Sequence, residues 1–231
     1  MSQPALAPPL IAREVAALPH GEDWIYEFHW GGERVRAIKQ EAAVQLLGRD
    51  GRDVTNRFPR VAAAVAKLRL AVAILDGEVL YLDSYPPPVG RFLAQAVDVV
   101  GGGGLALLAF DVLCHEGKDV RQFSLFCRRL LLASAVQGTP IILSPLIDGN
   151  SEVALAAAAR LGFRGVVAKR AGSPYRPNSL STEWLKTTFA PLPPEQLRRL
   201  ATRHPFDLGN TPPERPVVAT AAVVSAVPFS R

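Results

Sequence analysis

The chain has 231 residues, 48% of them apolar, which is enough for one domain of ordinary size, or one domain with an extension, and excludes wholesale disorder. Its formal net charge of +5 favours nucleic-acid or nucleotide partners, although a basic surface kept for solubility would give the same balance. The longest apolar runs, such as residues 101–113, are too short to span a bilayer, so no membrane partner is expected.

The cysteines and the N-terminus bear on the compartment. Cys114 and Cys127 have neither the spacing of metal ligands nor that of a disulfide framework, which favours a reducing cytoplasm. The first residues lack a charged start followed by an apolar core, so no signal peptide is predicted.

The first half of the chain alternates strand and turn signals. Residues 24–30 and 33–40 read as two strands paired across Gly31 and Gly32. A turn at residues 50–51 is followed by a helix over 57–70. A buried strand over 71–82, interrupted at 76–78, comes next, and then a loop over 84–91.

The second half begins with a short helix over residues 91–100 and a glycine connector at 101–104. The next predicted elements are a strand at 105–113, a helix at 123–136, a strand at 141–147, a helix at 151–162, and strands at 163–170 and 181–189. Ser151 is a candidate N-cap and Gly162 a candidate C-cap of the last helix.

The order of these elements predicts an α+β fold, with antiparallel sheets flanked by helices and a nucleotide groove between them. We expect one domain over residues 1–189. Residues 190–231 are predicted to be a short helix at 195–201 followed by a proline-rich, partly disordered tail. A tail of this length is too short for a five-stranded OB-fold barrel, so none is expected.

Several polar residues lie in or beside apolar strands, where a carboxylate is costly unless it binds something. Together with Phe110 they suggest a nucleotide pocket, in which an aromatic ring stacks on the base, cations hold phosphates and a carboxylate contacts a metal ion or ribose. Each one could instead be a satisfied core or edge residue. The candidates are Glu27, His29, Arg34, Glu78, Asp111, Lys169 and Lys186.

The order of these segments resembles the adenylation (nucleotidyltransferase) domain of ATP-dependent DNA ligases, and most closely the bacterial ligases of non-homologous end joining. The first family motif, E-x-K-x-D-G-x-R, stands here as residues 27–34. Residues 48–61 are similar to the S-R-N-G-x-D-x-T-x-x-F-P segment, and LDGEV at 75–79 to the third motif. Residues 107–132 resemble the adenine-stacking segment, and residues 162–188 the fourth and fifth motifs.

The resemblance implies ATP as the nucleotide and Mg²⁺ held by carboxylates, with DNA nicks or ends as partners. In that family the first-motif lysine is adenylylated, AMP passes to a 5′-phosphate, and a 3′-hydroxyl displaces it. It further implies a cytoplasmic, nucleoid-associated monomer of bacterial strand-break repair and recombination, which could meet an end-joining repair protein. The implied nucleotide-binding residues are Glu27, Arg34, Arg49, Glu78, Phe110, Lys169 and Lys186, with Glu78 also the metal ligand.

Four positions depart from the family motifs, and they are positions whose residues take part in the family's chemistry. His29 stands where the nucleophilic lysine is expected, and Gly31 where that motif has aspartate. Arg164 replaces the glutamate of G-x-E-G-V-V, and Thr188 replaces the second lysine of W-L-K-x-K. His29 is therefore the only candidate at the catalytic position.

No other lysine is expected to substitute. Lys39 is the nearest in sequence, and in the predicted hairpin it lies about 16 Å along the strand from the residue facing His29. Imidazole can carry a phosphoryl group, but its ring nitrogens lie closer to the backbone than a lysine amine does. Losing Asp at 31 and Glu at 164 makes the site worse for Mg²⁺ and better for a bare phosphate. Arg164 would pair either with that phosphate or with Glu78.

Three functions remain open at this point. The chain could be a pseudoenzyme that binds nucleotide or DNA ends, an active ligase with an unusual nucleophile or a partner's lysine, or a capping-type RNA guanylyltransferase, which also needs the missing lysine. A basic face for DNA, or merely a solvated surface, is predicted from five arginines: Arg13, Arg49, Arg52, Arg57 and Arg60.

Overall fold

Two β-sheets and three α-helices make up residues 7–82 and 104–189, the part of the chain that the structure, a computed structural model, describes. The predicted loop at 84–91, the helix at 91–100, most of the glycine connector and everything predicted from residue 190 onwards lie outside these ranges. None of the helices within them is long and apolar enough to cross a membrane.

The first sheet has five strands and is antiparallel except for one edge pair. In spatial order the strands are β1 (Ile11–Glu14), β11 (Leu180–Thr188), β10 (Gly165–Arg170), β2 (Trp24–Phe28) and β9 (Leu146–Ile147). Only β1 and β11 run parallel.

The second sheet contains the strands from the middle of the chain. In spatial order they are β4 (Ala43–Gly48), β3 (Glu33–Gln40), β5 (Val72–Tyr81), β6 (Leu105–His115) and β7 (Lys118–Asp119), with β8 (Ile142–Leu143) pairing parallel to β6. The side chains of β6 alternate between two hydrophobic cores: Leu108 and Phe110 face one, and Leu107 and Ala109 the other. Burial on both faces explains why this strand is almost wholly apolar.

Three helices flank the sheets, and their ends follow from capping chemistry. Helix α1 (Pro59–Ala66) starts with its proline, whose missing N–H is not needed there. In α2 (Leu125–Val136) the hydroxyl of Ser124 accepts from a backbone N–H of the first turn. Helix α3 (Ser151–Leu161) ends at Gly162 in the left-handed conformation, as predicted.

The N-cap of α3 differs from the prediction. Asn150 is the cap, and its side-chain oxygen accepts from the N–H of Val153 at 3.0 Å. Ser151 is the first helical residue, and its hydroxyl lies 2.9 Å from Nδ1 of His20. Asn and Ser are comparable caps, so their order in the sequence could not decide between them.

The predicted hairpin across Gly31 and Gly32 is wrong. Strand β2 pairs with β10 and β9, whereas β3 pairs with β4 and β5, so the two glycines carry the chain from one sheet to the other. A Cβ atom on Gly32 would lie 2.6 Å from the carbonyl oxygen of Val79. The crossing therefore needs glycine because the backbone passes directly against β5.

Two other strand predictions change. Residues 141–147 form two short strands, β8 and β9, in different sheets, because Pro145 between them has no N–H to donate to a ladder. Strand β5 continues through residues 76–78, where an interruption was predicted, and only its register with β6 shifts there. The α+β class with antiparallel sheets flanked by helices is confirmed.

Candidate nucleotide site

A cavity of about 980 Å³ opens between the two sheets, close to the upper end of the range of roughly 300–1,000 Å³ usual for ligand pockets. Eight predicted residues contribute to its lining: Glu27, His29, Arg34, Arg49, Glu78, Phe110, Lys169 and Lys186. The remaining candidate, Asp111, does not line the cavity and is buried in an ion pair with Arg128 at 2.8 Å. The structure thus brings the eight residues together from β2, β3, β5, β6, β10, β11 and the end of β4, whereas their individual roles stay predictions.

Glu27 anchors the buried end of the cavity. One of its carboxylate oxygens accepts from Lys169 at 2.9 Å and from Arg129 at 2.8 Å, and the other accepts from the hydroxyl of Ser144 at 2.7 Å. Glu27 and Lys169 lie on the adjacent strands β2 and β10, and both are less than 4% exposed. The carboxylate has enough donors to offset the cost of its burial.

Lys169 and Phe110 form a cation–π cluster beside this pair. The Lys169 ammonium lies 4.3 Å from the ring centroid of Phe110 and 4.2 Å from that of Trp184. Burial lowers the pKa of Lys169, while the neighbouring Glu27 carboxylate opposes that shift. Arg34 approaches the same Phe110 ring to 4.9 Å, and Phe110 is only 6% exposed. Little of the ring therefore faces the cavity, and its stacking on adenine stays a prediction.

Arg34 belongs to a buried cluster whose other members sequence reasoning missed. Its guanidinium makes two hydrogen bonds to Asp76, at 2.9 and 2.6 Å, and the hydroxyl of Tyr175 donates to the same carboxylate at 2.6 Å. Asp76 lies two residues from Glu78 in a buried strand. The cost of burying a carboxylate there pointed to Asp76 as much as to Glu78. No local signal pointed to Tyr175, which comes from a loop far along the chain.

Glu78 is the carboxylate nearest to what a Mg²⁺ site would need. Its Oε2 atom accepts from the N–H of Gly32 at 2.9 Å. Burial raises the pKa of Glu78, with the Gly32 hydrogen bond and Arg34 opposing it. Glu27 is already saturated, and within the described ranges no group of three or more His, Cys, Asp or Glu could hold a metal ion. This donor set does not fit a protein-held Mg²⁺, which prefers several oxygen ligands in octahedral geometry.

His29 lies where the chain leaves β2, and cations surround it. Burial lowers the pKa of its imidazole from the usual 6.5, and the positive charges of Lys186 and Arg164 lower it further, against a smaller opposing effect of Glu14. Nδ1 of His29 is buried without a hydrogen-bond partner in the part of the chain that the structure describes. The imidazole is therefore neutral near pH 7.

Lys186 and Glu14 are register partners on β11 and β1, with their charged atoms 3.4 Å apart. The hydroxyl of Thr188, at the position of the family's second lysine, is the largest cause of a lowered Glu14 pKa, ahead of Lys186. Glu14 is 61% exposed, so its pairing with Lys186 is weak.

Arg164 and Gly31, two of the departures from the family motifs, are neighbours in space. A Cβ atom on Gly31 would lie 2.6 Å from Cδ and 2.9 Å from Nε of Arg164, so the arginine side chain occupies the space of any side chain at position 31. No ion pair joins Arg164 to Glu78 within the described ranges. Of the two alternatives for Arg164, the one in which it pairs with Glu78 and closes the pocket is therefore not found.

The rim of the cavity is basic but partly neutralised. Arg49 and Arg52 are exposed and line the opening, as does Arg57, which makes two hydrogen bonds to Glu33 at 2.7 and 3.0 Å. The proposed arginine face is thus only in part available to a polyanion.

Lys39 cannot serve as a replacement nucleophile, for a reason other than the hairpin geometry. Its ammonium is buried and donates to the carbonyl oxygens of Ala66 at 3.0 Å and of Leu68, behind the second sheet. These bonds hold the amine at the end of α1, on the side of the sheet away from His29.

The fold and cavity together define a class of protein: an α+β domain whose two sheets enclose a cleft lined by cations, carboxylates and aromatic rings. Solved structures share it. The ligase domain of LigD from M. tuberculosis superposes with a TM-score of 0.68 at 27% identity, over 81% of this chain and 61% of that one. A mycobacterial DNA ligase D complexed with ATP and MES gives 0.67 at 28% identity, over 81% and 62%.

The sequence itself defines the family. Residues 4–187 match the ATP dependent DNA ligase domain, and the chain therefore belongs to the ATP-dependent DNA ligase family. It is 36% identical over 186 residues to the multifunctional non-homologous end joining protein LigD of Pseudomonas aeruginosa. It is 33% identical over 200 residues to a probable DNA ligase of Anaeromyxobacter. The predicted resemblance is confirmed.

The matched region is a minor part of these relatives. The alignments cover 78% of this chain but 22% of the Pseudomonas protein, and 81% of this chain but 38% of the Anaeromyxobacter protein. What the longer proteins do as wholes therefore does not transfer directly to this chain.

Proposed function

We propose that this chain is a pseudoenzyme of the ATP-dependent DNA ligase family, which binds an adenine nucleotide or a DNA end but does not adenylylate itself at the usual position. The observation that carries the proposal is His29. It stands at the position of the family's nucleophilic lysine and lines the cavity.

The two lysines that line the cavity lie on other strands, β10 and β11, and each contacts a carboxylate. Lys169 is buried between two aromatic rings and donates to Glu27, and Lys186 lies beside Glu14. The His29 imidazole is shorter than a lysine side chain, so the reacting phosphate would have to shift by about an ångström, a displacement that costs roughly 100-fold in rate. Because the carboxylates present do not suit Mg²⁺, no step is assigned to a metal ion.

The cavity retains the properties of an adenine-nucleotide site. Its volume suits a ligand of that size, and Arg34, Lys169 and Lys186 surround it with positive charge. A mycobacterial DNA ligase D of the same fold has been solved in complex with ATP. Relatives named for non-homologous end joining favour a role for this chain in strand-break repair, with DNA nicks or ends and an end-joining protein as partners.

The direct test incubates the purified protein with ATP and Mg²⁺ and measures its intact mass. We expect no AMP adduct, together with measurable binding of ATP or of nicked or 5′-phosphorylated duplex. Binding to DNA should weaken steeply as salt rises, because phosphate contacts release counterions. A covalent adduct would overturn the proposal, as would failure to bind both ATP and DNA.

A second function, self-adenylylation on His29, is favoured by one observation. The lowered pKa of the imidazole keeps it neutral and so available as a nucleophile near pH 7. This alternative predicts an adduct that is lost in His29→Ala and is labile to acid, as phosphoramidates of histidine are. An adduct that persists in His29→Ala would instead point to one of the lysines.

A further inference from the structure

Two cations and a neutral imidazole meet where β2 leaves the first sheet. His29, Gly31 and Lys186 line the cavity. Arg164 is not itself a lining residue, but its side chain passes directly over Gly31. The backbone N–H of His29 donates to the carbonyl oxygen of Gly165, the residue after Arg164, at 2.9 Å, and Gly165 pairs with β11, the strand that carries Lys186. Both cations also act electrostatically on His29.

We infer that His29, Lys186 and Arg164 form a binding site for a phosphate group that requires no divalent metal ion. The inference rests on the proposed function and names the chemistry that the same cavity recognises. The ligand group is a phosphate oxyanion, carried either by the polyphosphate of ATP or by the 5′-phosphate of a DNA end.

The charges around this cluster favour an anion over a metal ion. Arg164 has no ion-pair partner within the described ranges, so its guanidinium is available to a ligand. Among the described groups that act on His29, the one carboxylate is Glu14, an exposed residue whose contact with Lys186 is long for an ion pair, at 3.4 Å. Guanidinium and ammonium groups are strong phosphate ligands, and the guanidinium can hold two phosphate oxygens at once.

His29 adds a neutral donor to this arrangement. Among the described residues, none forms a hydrogen bond with its buried Nδ1 atom, whereas the ring as a whole lines the cavity. With the proton on Nε2, the ring offers one N–H to a phosphate oxygen without adding a third positive charge. The neutral imidazole also limits repulsion among the three groups.

Gly31 is what makes room for Arg164. Any side chain at position 31 would begin 2.6 Å from Cδ of the arginine, so the aspartate of the resembled motif and this arginine cannot both adopt the present conformation. In this conformation, the absence of a side chain at position 31 and the presence of arginine at position 164 are therefore sterically linked. Compared with the resembled motifs, this arrangement replaces anionic groups, which a metal ion would need, by one cation that contacts phosphate itself.

The experiment is a calorimetric titration of the full chain with ATP and with inorganic tripolyphosphate, once in excess EDTA and once in Mg²⁺. We expect both ligands to bind in EDTA at least as tightly as in Mg²⁺. Arg164→Gln should weaken binding about tenfold, because it removes a charge-assisted contact. Arg160→Gln, which removes an exposed arginine of α3 outside the cavity, is the matched control and should change nothing.

A second variant tests whether removing negative charge beside Lys186 tightens phosphate binding. Glu14→Gln removes the carboxylate that competes for Lys186 and should tighten binding of both ligands several-fold, since each such contact is worth on the order of a factor of ten. A purely structural role of this exposed residue would not produce tighter binding. Glu22→Gln, another exposed carboxylate outside the cavity, is its control.

A DNA titration distinguishes the two sources of the phosphate. A duplex with a 5′-phosphate is compared with the same duplex bearing a 5′-hydroxyl, in EDTA. A preference for the phosphate that Arg164→Gln abolishes assigns the site to DNA ends, whereas tight binding of tripolyphosphate with no such preference assigns it to ATP.

The outcomes separate this inference from the proposed function. If ATP binds only with Mg²⁺ and Arg164→Gln has no effect, the metal-free site is wrong while nucleotide binding stands. If neither ATP nor either DNA end binds, the proposed function fails as well. An AMP adduct in the same samples would overturn the proposed function by itself.

Discussion

Lys169 donates an ammonium N–H to Glu27 at 2.9 Å, from β10 to the adjacent strand β2, at the buried end of the cavity. Arg129 of α2 and Ser144 complete the same carboxylate. The pair explains how a lysine and a glutamate can be almost fully buried next to two aromatic rings, those of Phe110 and Trp184. It also explains why this lysine is not available for chemistry in the present conformation.

The first prediction concerns the unequal contributions of Glu27 and Lys169 to stability. Glu27→Gln removes the carboxylate charge that Lys169 and Arg129 share and leaves two buried cations, so it should destabilise the fold by about 3–5 kcal/mol. Lys169→Met leaves the carboxylate with Arg129 and Ser144 and should cost distinctly less. Urea unfolding followed by circular dichroism measures both. Equal losses for the two variants would show that the carboxylate does not hold the network together.

The second prediction concerns Tyr175, whose hydroxyl donates to Asp76 and accepts from the N–H of Leu10 at 3.1 Å. Tyr175→Phe leaves that buried N–H without a partner and should cost about 1–3 kcal/mol. Hydrogen exchange at Leu10 should accelerate together with the loss of stability. Tyr81→Phe, at a tyrosine that is 45% exposed, is the control and should leave both quantities unchanged.

The third prediction concerns pH and follows from the lowered pKa of His29. The unfolded chain takes up a proton near pH 6.5 whereas the folded protein does not, so the free energy of unfolding should fall as the pH drops below about 7. In His29→Asn this part of the dependence should disappear, while the other histidines are common to both proteins. Denaturant unfolding between pH 5 and 8 measures the free energy of unfolding of both proteins. The charged groups that act on His29 are Lys186, Arg164 and Glu14. Parallel curves for the two proteins would contradict the expected shift.

The fourth prediction tests the contact between Gly31 and Arg164. Gly31 and Gly51 both have positive φ, at 68° and 81°, but a Cβ atom on Gly51 meets nothing within 4 Å. Gly51→Ala therefore incurs only the backbone cost of about 1–2 kcal/mol, whereas Gly31→Ala adds a clash. The added loss should vanish in the Arg164→Ala background. A double-mutant cycle measures the coupling, expected at about 0.5–3 kcal/mol. Additive losses would mean that the arginine moves aside without cost.

Much of the candidate site was predictable from the sequence, because each motif is a short run whose residue types carry its chemistry. Residues 27–34 and the segment around Glu78 identify the family without knowledge of the fold. The residues that contact these side chains were harder to predict from the sequence. Asp76 could have been found from its place in a buried strand, whereas Tyr175 and Arg129 lie 99 and 102 residues from the carboxylates that they contact.

The sequence by itself determined the family, the character of most strands and helices, and the substitution of His29 for the expected lysine, because all of these are local properties of short segments. Only the tertiary structure decided which strands pair, so that Gly31 and Gly32 join two sheets where a hairpin was predicted. It also decided that Arg164 lies over Gly31. The physical reason is that periodicity shows how a strand is buried but not which distant strand satisfies its backbone hydrogen bonds.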